Sequence, residues 1–204
     1  MTKDALPKSA ARADRTRAVL FDRDGTLVVD VSYNGDPDQV EVMPTAVLAL
    51  ELLRGAGMAT GVVTNQSGIA RGIISAEDVA RVNHRVDDLL GPFDIWCVCP
   101  HRSEDGCDCR KPRPGLIMQA AAKLGLAPAQ IAVIGDIGSD IEAAFAAGSS
   151  AVLVPTPLTR LGEVLDAPVV ASDLLEAARL ALAGALSVEE PRRHRSGIPE
   201  RGET

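Results

Sequence analysis

The aliphatic run Ala18-Val19-Leu20-Phe21 stops at Asp22-Arg23-Asp24-Gly25-Thr26, and that break constrains the chain more than any other feature. A short apolar run that ends in charge reads as a strand whose C-terminal end meets solvent or a ligand. Side chains alternate along a strand, so Asp22 and Asp24 are expected to project together and Arg23 elsewhere. Gly25 supplies the freedom for a sharp turn. Two carboxylates so placed can hold a hard cation and present a nucleophile. A plain polar turn has the same composition, so this segment alone leaves both readings open.

Three later segments repeat the pattern. Ala59–Val63 runs into Thr64-Asn65-Gln66-Ser67-Gly68, where Thr64 and Asn65 can donate to a phosphate oxygen. Arg110-Lys111-Pro112-Arg113-Pro114-Gly115 leads into an amphipathic helix. The chain has only four lysines against seventeen arginines, so Lys111 is not part of a lysine-rich surface. A compact ammonium at a helix entrance suits an anionic ligand or a carboxylate. Finally Ile131–Ile134 ends in Gly135-Asp136 and leads to Asp140 in the first turn of a helix, where a carboxylate also favours the dipole. Each segment has an ordinary loop as its competing reading. Together they point to one sheet edge lined with polar chemistry, where open parallel α/β sheets bind ligands.

The wider pattern agrees. Strands are expected at Ala18–Phe21, Ala59–Val63, Ile95–Cys99, Ile131–Ile134, Ala151–Val154 and, as a short piece, Val169–Ala171. Helices are expected at Ala46–Ala56, Ala76–Leu90, Leu116–Leu124, Asp140–Ala147 and Asp173–Leu186. Alternation of this kind argues for a parallel sheet covered by helices on both faces. The leucines Leu48, Leu52 and Leu53, and Leu174, Leu175 and Leu182, read as core faces. With 204 residues and 46% apolar residues, one three-layer domain is the default. Residues 30–43, with Tyr33, Asn34, Gly35 and Pro37, read as a loop over the strand ends.

All four cysteines fall in one window, Cys97-Val98-Cys99-Pro100-His101 followed by Cys107-Asp108-Cys109. Cys99, His101, Cys107 and Cys109 offer four ligands around a reversing loop, which fits tetrahedral Zn²⁺. Cys97 is read as core. A disulfide is the competing reading, and no secretory signal accompanies it.

These segments resemble, in order, the four signature motifs of the haloacid dehalogenase (HAD) superfamily of phosphohydrolases, over roughly residues 17–186. The resemblance implies an α/β fold: a three-layer α/β/α Rossmann-like HAD fold with a mainly parallel sheet. It implies Asp22 as the nucleophile, forming an aspartyl-phosphate, and Asp24 as general acid and then general base. Thr64 and Asn65 would bind phosphoryl oxygens, and Lys111 would neutralise the nucleophile and the transferring group. Mg²⁺ would lie between Asp22, Asp136 and the backbone carbonyl of Asp24, with Asp140 in support. Cys-Pro-His followed by Cys-Asp-Cys-Arg-Lys-Pro narrows the resemblance to the zinc-containing heptose-bisphosphate and histidinol-phosphate phosphatases. Those enzymes are capless, and a zinc-stapled loop positions the arginine and lysine that follow it. Arg71, Arg110 and Arg113 would then meet the distal part of a sugar phosphate. The sequence departs from the heptose-type pattern at Ile137, where a lysine is usual. The short stretch from His101 to Cys107 is nearer the histidinol-phosphate type.

The expected activity is Mg²⁺-dependent removal of the C7 phosphate from a heptose 1,7-bisphosphate, with histidinol phosphate or another small phosphomonoester as the alternative substrate. A zinc-stabilised scaffold without catalysis is the alternative of another class. The net charge is −7, and the N-terminal 17 residues carry five basic against two acidic side chains, so the centre is strongly acidic. That argues against nucleic acid as a partner, and no apolar run is long enough to span a membrane. The expected protein is a cytoplasmic monomer acting on a small phosphorylated metabolite. Its domain is expected over residues 18–187, between disordered ends at residues 1–17 and 188–204.

Overall fold

The computed structural model describes residues 15–186. Most of the two ends expected to be disordered therefore lies outside the described residues. Five strands, β1 (Ala18–Phe21), β2 (Ala59–Asn65), β3 (Ile95–Cys99), β4 (Ile131–Gly135) and β5 (Ser150–Leu153), form one sheet in the order β3-β2-β1-β4-β5. All four pairings are parallel, as crossover connections through helices require.

The alternation of each strand sorts its side chains into two cores. Val19, Phe21, Val62, Ala132, Ile134 and Val152 face one side, against α1 (Ala46–Gly55), α2 (Ala76–Leu90) and α6 (Leu174–Ala183). Ala18, Leu20, Val63, Ile131, Val133 and Ala151 face the other, against α3 (Gly115–Leu124) and α4 (Gly138–Ala147). This is the three-layer α/β/α arrangement expected, built almost wholly from aliphatic side chains. Cys97 is a buried core residue, as read from its place in the strand.

Several features differ from expectation. Leu48 and Leu52, read as core, are exposed on α1, and the last helix stops at Ala183, three residues short of Leu186, where Gly184 caps it. β2 continues two residues further, through Thr64 and Asn65, because both pair in register with Val98 and Cys99 of β3. Val169–Ala171 makes only a single parallel bridge, Leu153 to Val170, and is not a strand. A short helix α5 (Leu161–Asp166) follows β5; its exposed leucines Leu161 and Leu165 give no amphipathic signal.

The order of strand addition reverses between β1 and β4, the crevice where ligands bind in such sheets. The loops at that end are residues 22–45, 66–75, 100–114, 136–137 and 154–160. Within the first, residues 27–43 leave and return as a short arm, tied by Val29 N–H to Glu41 O (2.9 Å) and Met43 N–H to Leu27 O (2.9 Å). The Tyr33 ring at its tip lies against Gly68. The segment read as a loop over the strand ends therefore reaches the loop that follows β2. Among the described residues no helix is long and apolar enough to cross a membrane.

Candidate active site

Asp22 continues the β1–β4 ladder by one bond, its N–H donating to Ile134 O at 3.0 Å. Asp136 follows β4 directly, and the side chains of Asp22, Asp136 and Asp140 converge with their oxygens within 4.8 Å of one another, all buried. Two glycines make room for this convergence. Gly25 has φ +82°, and a Cβ there would overlap the Asp136 carboxylate; a Cβ on Gly135 would overlap the side chain of Asp140. Thr26 Oγ1 donates to Asp136 Oδ1 at 3.1 Å, and Thr159 Oγ1 donates to its carbonyl at 2.7 Å.

Lys111 enters the same cluster. Its Nζ lies 2.6 Å from Asp140 Oδ1 and 3.0 Å from Asp22 Oδ1, and donates to Val63 O at 2.9 Å. One ammonium thus faces three buried carboxylates. Burial, reinforced by Asp140 and Asp136, pushes Asp22 up to about 8 in spite of Lys111. Burial, with Asp140 beside it, pushes Asp136 up to about 7. Burial works against the Lys111 ammonium, but Asp140 and Asp22 more than offset it and hold its pKa above the usual lysine range. Lys111 is shared between Asp140 and Asp22, so one ammonium cannot match three carboxylates, and Asp22 and Asp136 hold protons that a cation could displace. A small, oxygen-seeking divalent cation is the partner that such a donor pair fits.

The Asp24 side chain is not part of this convergence. Strand alternation ends at Phe21, and residues 22–28 coil through bonds from Leu27 and Val28 N–H to Arg23 O (2.9 and 3.0 Å). The expectation that Arg23 points away from Asp24 therefore fails. Arg23 folds back and pairs with Asp24 through Nε to Oδ1 and Nη2 to Oδ2, both 2.9 Å. Only the backbone of Asp24 remains available to a cation held by Asp22 and Asp136. Thr64, 1% exposed, accepts from Gln66 Nε2 at 2.9 Å, and the same nitrogen donates to Asp24 Oδ2 at 2.7 Å. Sequence reasoning does not single out Arg23, Gln66 or Asn83, the last of which holds Arg23 Nη1 at 2.8 Å. A buried guanidinium must be paired, so the Asp-Arg-Asp triplet is the available signal for Arg23; Asn83 carries none.

Asn65 also departs from expectation. Its amide is engaged with the Lys111 backbone, accepting from Lys111 N–H at 3.1 Å and donating to Lys111 O at 3.2 Å. The side chain positions the lysine and spends one of its two amide hydrogens on it, a pairing that leaves the expected donation from the Asn65 backbone untouched. Arg113 likewise turns inward, donating to Gly106 O and to Cys107 O (2.6 Å), so it ties the loop instead of facing the crevice. Arg110 Nη1 reaches His101 O at 3.3 Å. Arg71 stands exposed on the loop after β2, and Ile137 is half-buried at the entrance to α4.

Between β3 and α3, Cys99, His101, Cys107 and Cys109 converge as expected. His101 Nδ1 lies 3.2 Å from Cys109 Sγ and 3.6 Å from Cys99 Sγ, and the sulfurs are 3.1 to 3.7 Å apart. All are free thiols. A tetrahedral zinc with bonds of about 2.0–2.3 Å separates its ligand atoms by about 3.5–3.8 Å, close to this spacing. Burial, with the Cys109 thiol beside it, pushes Cys99 up to about 12, a state that a bound metal would reverse.

Comparison with known proteins accords with this geometry. A family model described as HAD-hydrolase-like matches residues 108–177. The D-glycero-β-D-manno-heptose-1,7-bisphosphate 7-phosphatase of Haemophilus influenzae is 36% identical over 160 residues, 72% of this chain and 87% of that protein. The enzyme of the same name from Vibrio cholerae is 38% identical over 162 residues, again 72% and 87% of the two chains. The crystal structure of D,D-heptose 1,7-bisphosphate phosphatase from B. bronchiseptica, complexed with magnesium and phosphate, superposes with a TM-score of 0.73 at 27% identity, covering 82% of this chain and 99% of that one. With its carboxylates and lysine gathered at the β1–β4 crevice and relatives of this similarity along most of their length, the chain belongs to the D-glycero-β-D-manno-heptose-1,7-bisphosphate 7-phosphatase family of the HAD superfamily.

Proposed function

We propose that this phosphomonoesterase removes the C7 phosphate of D-glycero-D-manno-heptose 1,7-bisphosphate through an aspartyl-phosphate on Asp22. The observation that carries the reading is the buried Asp22–Lys111–Asp140 arrangement beside Asp136 at the crevice between β1 and β4. Asp22 Oδ attacks phosphorus while the bond to the C7 oxygen breaks, and Asp24 gives a proton to the departing oxygen. Water then attacks the aspartyl-phosphate as Asp24 recovers the proton, which frees inorganic phosphate. Lys111 holds the nucleophile in place and offsets charge on the equatorial oxygens, and Thr64 lies at the neighbouring strand end.

Asp22, Asp136 and the Asp24 carbonyl would hold Mg²⁺, with Asp140 fixing Lys111 beside them. The ion supplies charge neutralisation to the phosphoryl group and to the carboxylate pair. Cys99, His101, Cys107 and Cys109 would hold a structural Zn²⁺, with all four positions filled by protein. Arg71 and Arg110 remain the candidates for the rest of the substrate. The reading includes action as a monomer and a cytoplasmic location, which suits a site built from unpaired thiols.

The test is phosphate release with Mg²⁺ from both anomers of heptose 1,7-bisphosphate, fructose 1,6-bisphosphate, histidinol phosphate and p-nitrophenyl phosphate. One heptose anomer should lead in kcat/KM by roughly a hundredfold, about 2.7 kcal/mol of transition-state discrimination. Asp22→Asn should lose at least about 10⁴-fold with the fold intact by circular dichroism. A preference for histidinol phosphate would keep the chemistry and reassign the substrate. Full activity in Asp22→Asn would remove the covalent mechanism.

A further inference from the structure

Arg23 is 1% exposed. A fully buried guanidinium is costly unless each face of it is matched. Here both ends of its fork are spent on one carboxylate, that of Asp24, at 2.9 Å each. Its remaining arm is anchored to Asn83 Oδ1 in α2 at 2.8 Å. Gln66 approaches the same carboxylate from the loop after β2, with Nε2 2.7 Å from Asp24 Oδ2. Arg23 and Gln66 therefore meet the Asp24 carboxylate directly, Asn83 acts on it through Arg23, and the Asp24 side chain itself remains 23% exposed.

The donors are unevenly shared. Asp24 Oδ2 accepts two hydrogen bonds, from Arg23 and Gln66, whereas Oδ1 accepts only the one from Arg23 Nε. A carboxylate oxygen has two lone pairs, so Oδ1 keeps the greater spare capacity. A residue that merely filled the gap beneath α2 would not need a bidentate pair, and an apolar side chain of similar volume would serve. What the fork and the amide achieve together is to fix the plane of one carboxylate, and proton transfer is sensitive to that placement.

We infer that Arg23, with Gln66 and Asn83, is a positioning device for Asp24 and presents Asp24 Oδ1 as the oxygen that gives and recovers the proton. The inference rests on the acid–base role proposed for Asp24. In the first step the proton passes from Oδ1 to the departing C7 oxygen as the P–O bond breaks and the bond from Asp22 to phosphorus forms. In the second, water loses that proton to Oδ1 as it attacks and the bond from phosphorus to Asp22 breaks.

The two steps can be read separately. An alkoxide leaving group needs the proton; p-nitrophenolate leaves without it. kcat/KM reports the first step, and both substrates share the second. Arg23→Lys keeps a cation but cannot form the fork. It should lower kcat/KM for heptose 1,7-bisphosphate by roughly 30- to 100-fold, up to the lower end of general acid–base effects, as misplacing the acid without removing it should, and that for p-nitrophenyl phosphate by less than about threefold. kcat should fall for both substrates. Gln66→Met should repeat the pattern at about tenfold and Asn83→Ala at a few-fold; they carry the test if circular dichroism shows Arg23→Lys unfolded. Equal losses on the two substrates, or no loss, in the folded variants would overturn the inference. Asp24→Asn is the control. If it also fails to distinguish the substrates, the acid–base role of Asp24 falls and this inference with it; if it does distinguish them while the other variants do not, only the positioning role falls.

Discussion

The carboxylate–lysine centre and the cysteine–histidine loop adjoin in the chain only at Cys109 to Lys111, and they are held in different ways. Asp22 and Asp136 sit on strand ends whose backbones are already paired, and Gly25 and Gly135 leave room for Asp136 and Asp140. The loop from Pro100 to Arg110 has no regular element beyond one turn of 3₁₀ helix at Ser103–Asp105, and it owes its form to the convergence of its four ligands and to Arg113. The first region is shaped by the sheet. Under the zinc reading proposed above, the second would be closed by the ion its ligands hold. They meet at Lys111, whose side chain belongs to the first and whose backbone belongs to the second.

That junction is the place to break the comparison. Lys111→Ala leaves Asp22 and Asp140 buried without their cation, and removing one partner of such a group costs about 3–5 kcal/mol. The expected outcome is a loss of activity of about 10³-fold or more together with a clearly lower Tm, read by kinetics and thermal melting. Retained stability would mean that the carboxylates take up protons at little cost, and the sheet would then hold them without help.

Cys109→Ser attacks the loop alone. Zinc content measured by elemental analysis should fall, Tm should drop by several degrees, and activity should fall by roughly tenfold while far-UV circular dichroism stays unchanged. The activity loss is expected to be partial because Asn65 still grips Lys111 at both N–H and C=O. Activity unchanged on loss of the metal would show the two regions to be independent. A wild-type protein purified without chelator and free of zinc would remove the ligand assignment.

The smallest effect is one of pH. Asp136 and Asp22 are shifted up to about 7 and about 8, with burial the main cause. The folded protein therefore binds these protons more tightly than the unfolded chain, whose aspartates titrate near 4. Stability is fully present below that value and is lost as pH rises through 7 and 8. In Mg²⁺-free buffer Tm should decline steadily between about pH 5.5 and 8.5, and saturating Mg²⁺ should flatten the decline. A rise of Tm over that interval would contradict the shifts. An equal slope with and without Mg²⁺ would separate them from the cation.

The same contrast explains which features are legible in the sequence. Asp22, Thr64, Lys111 and Asp136 each follow an aliphatic run or precede a helix with a clear apolar face, so the residue pattern alone places them at one sheet edge. The cysteine spacing announces its own convergence. What escapes is the direction of side chains beyond the last regular residue. Alternation stops at Phe21, so it cannot say that Arg23 turns back to Asp24. The spacing between Asn65 and Lys111 is not local, so nothing in either segment says that they pair. The helix α5 escapes because its leucines face solvent, which defeats any reading based on an apolar face.

The tip of the cysteine–histidine loop has a consequence for how such a chain can diverge. Ser103 to Gly106 are exposed, and nothing packs within 4 Å of Gly106, although its φ of +65° favours glycine there. His101 and Cys107, on either side of this tip, converge on one point, so the tip is a closed lobe and its length is not transmitted to Lys111. Lengthening a loop costs little, about 0.6 kcal/mol per doubling. Insertions between Ser103 and Glu104 can therefore accumulate without retuning the chemistry, which makes the lobe a site where new substrate contacts can be tried at low risk to the enzyme that carries them.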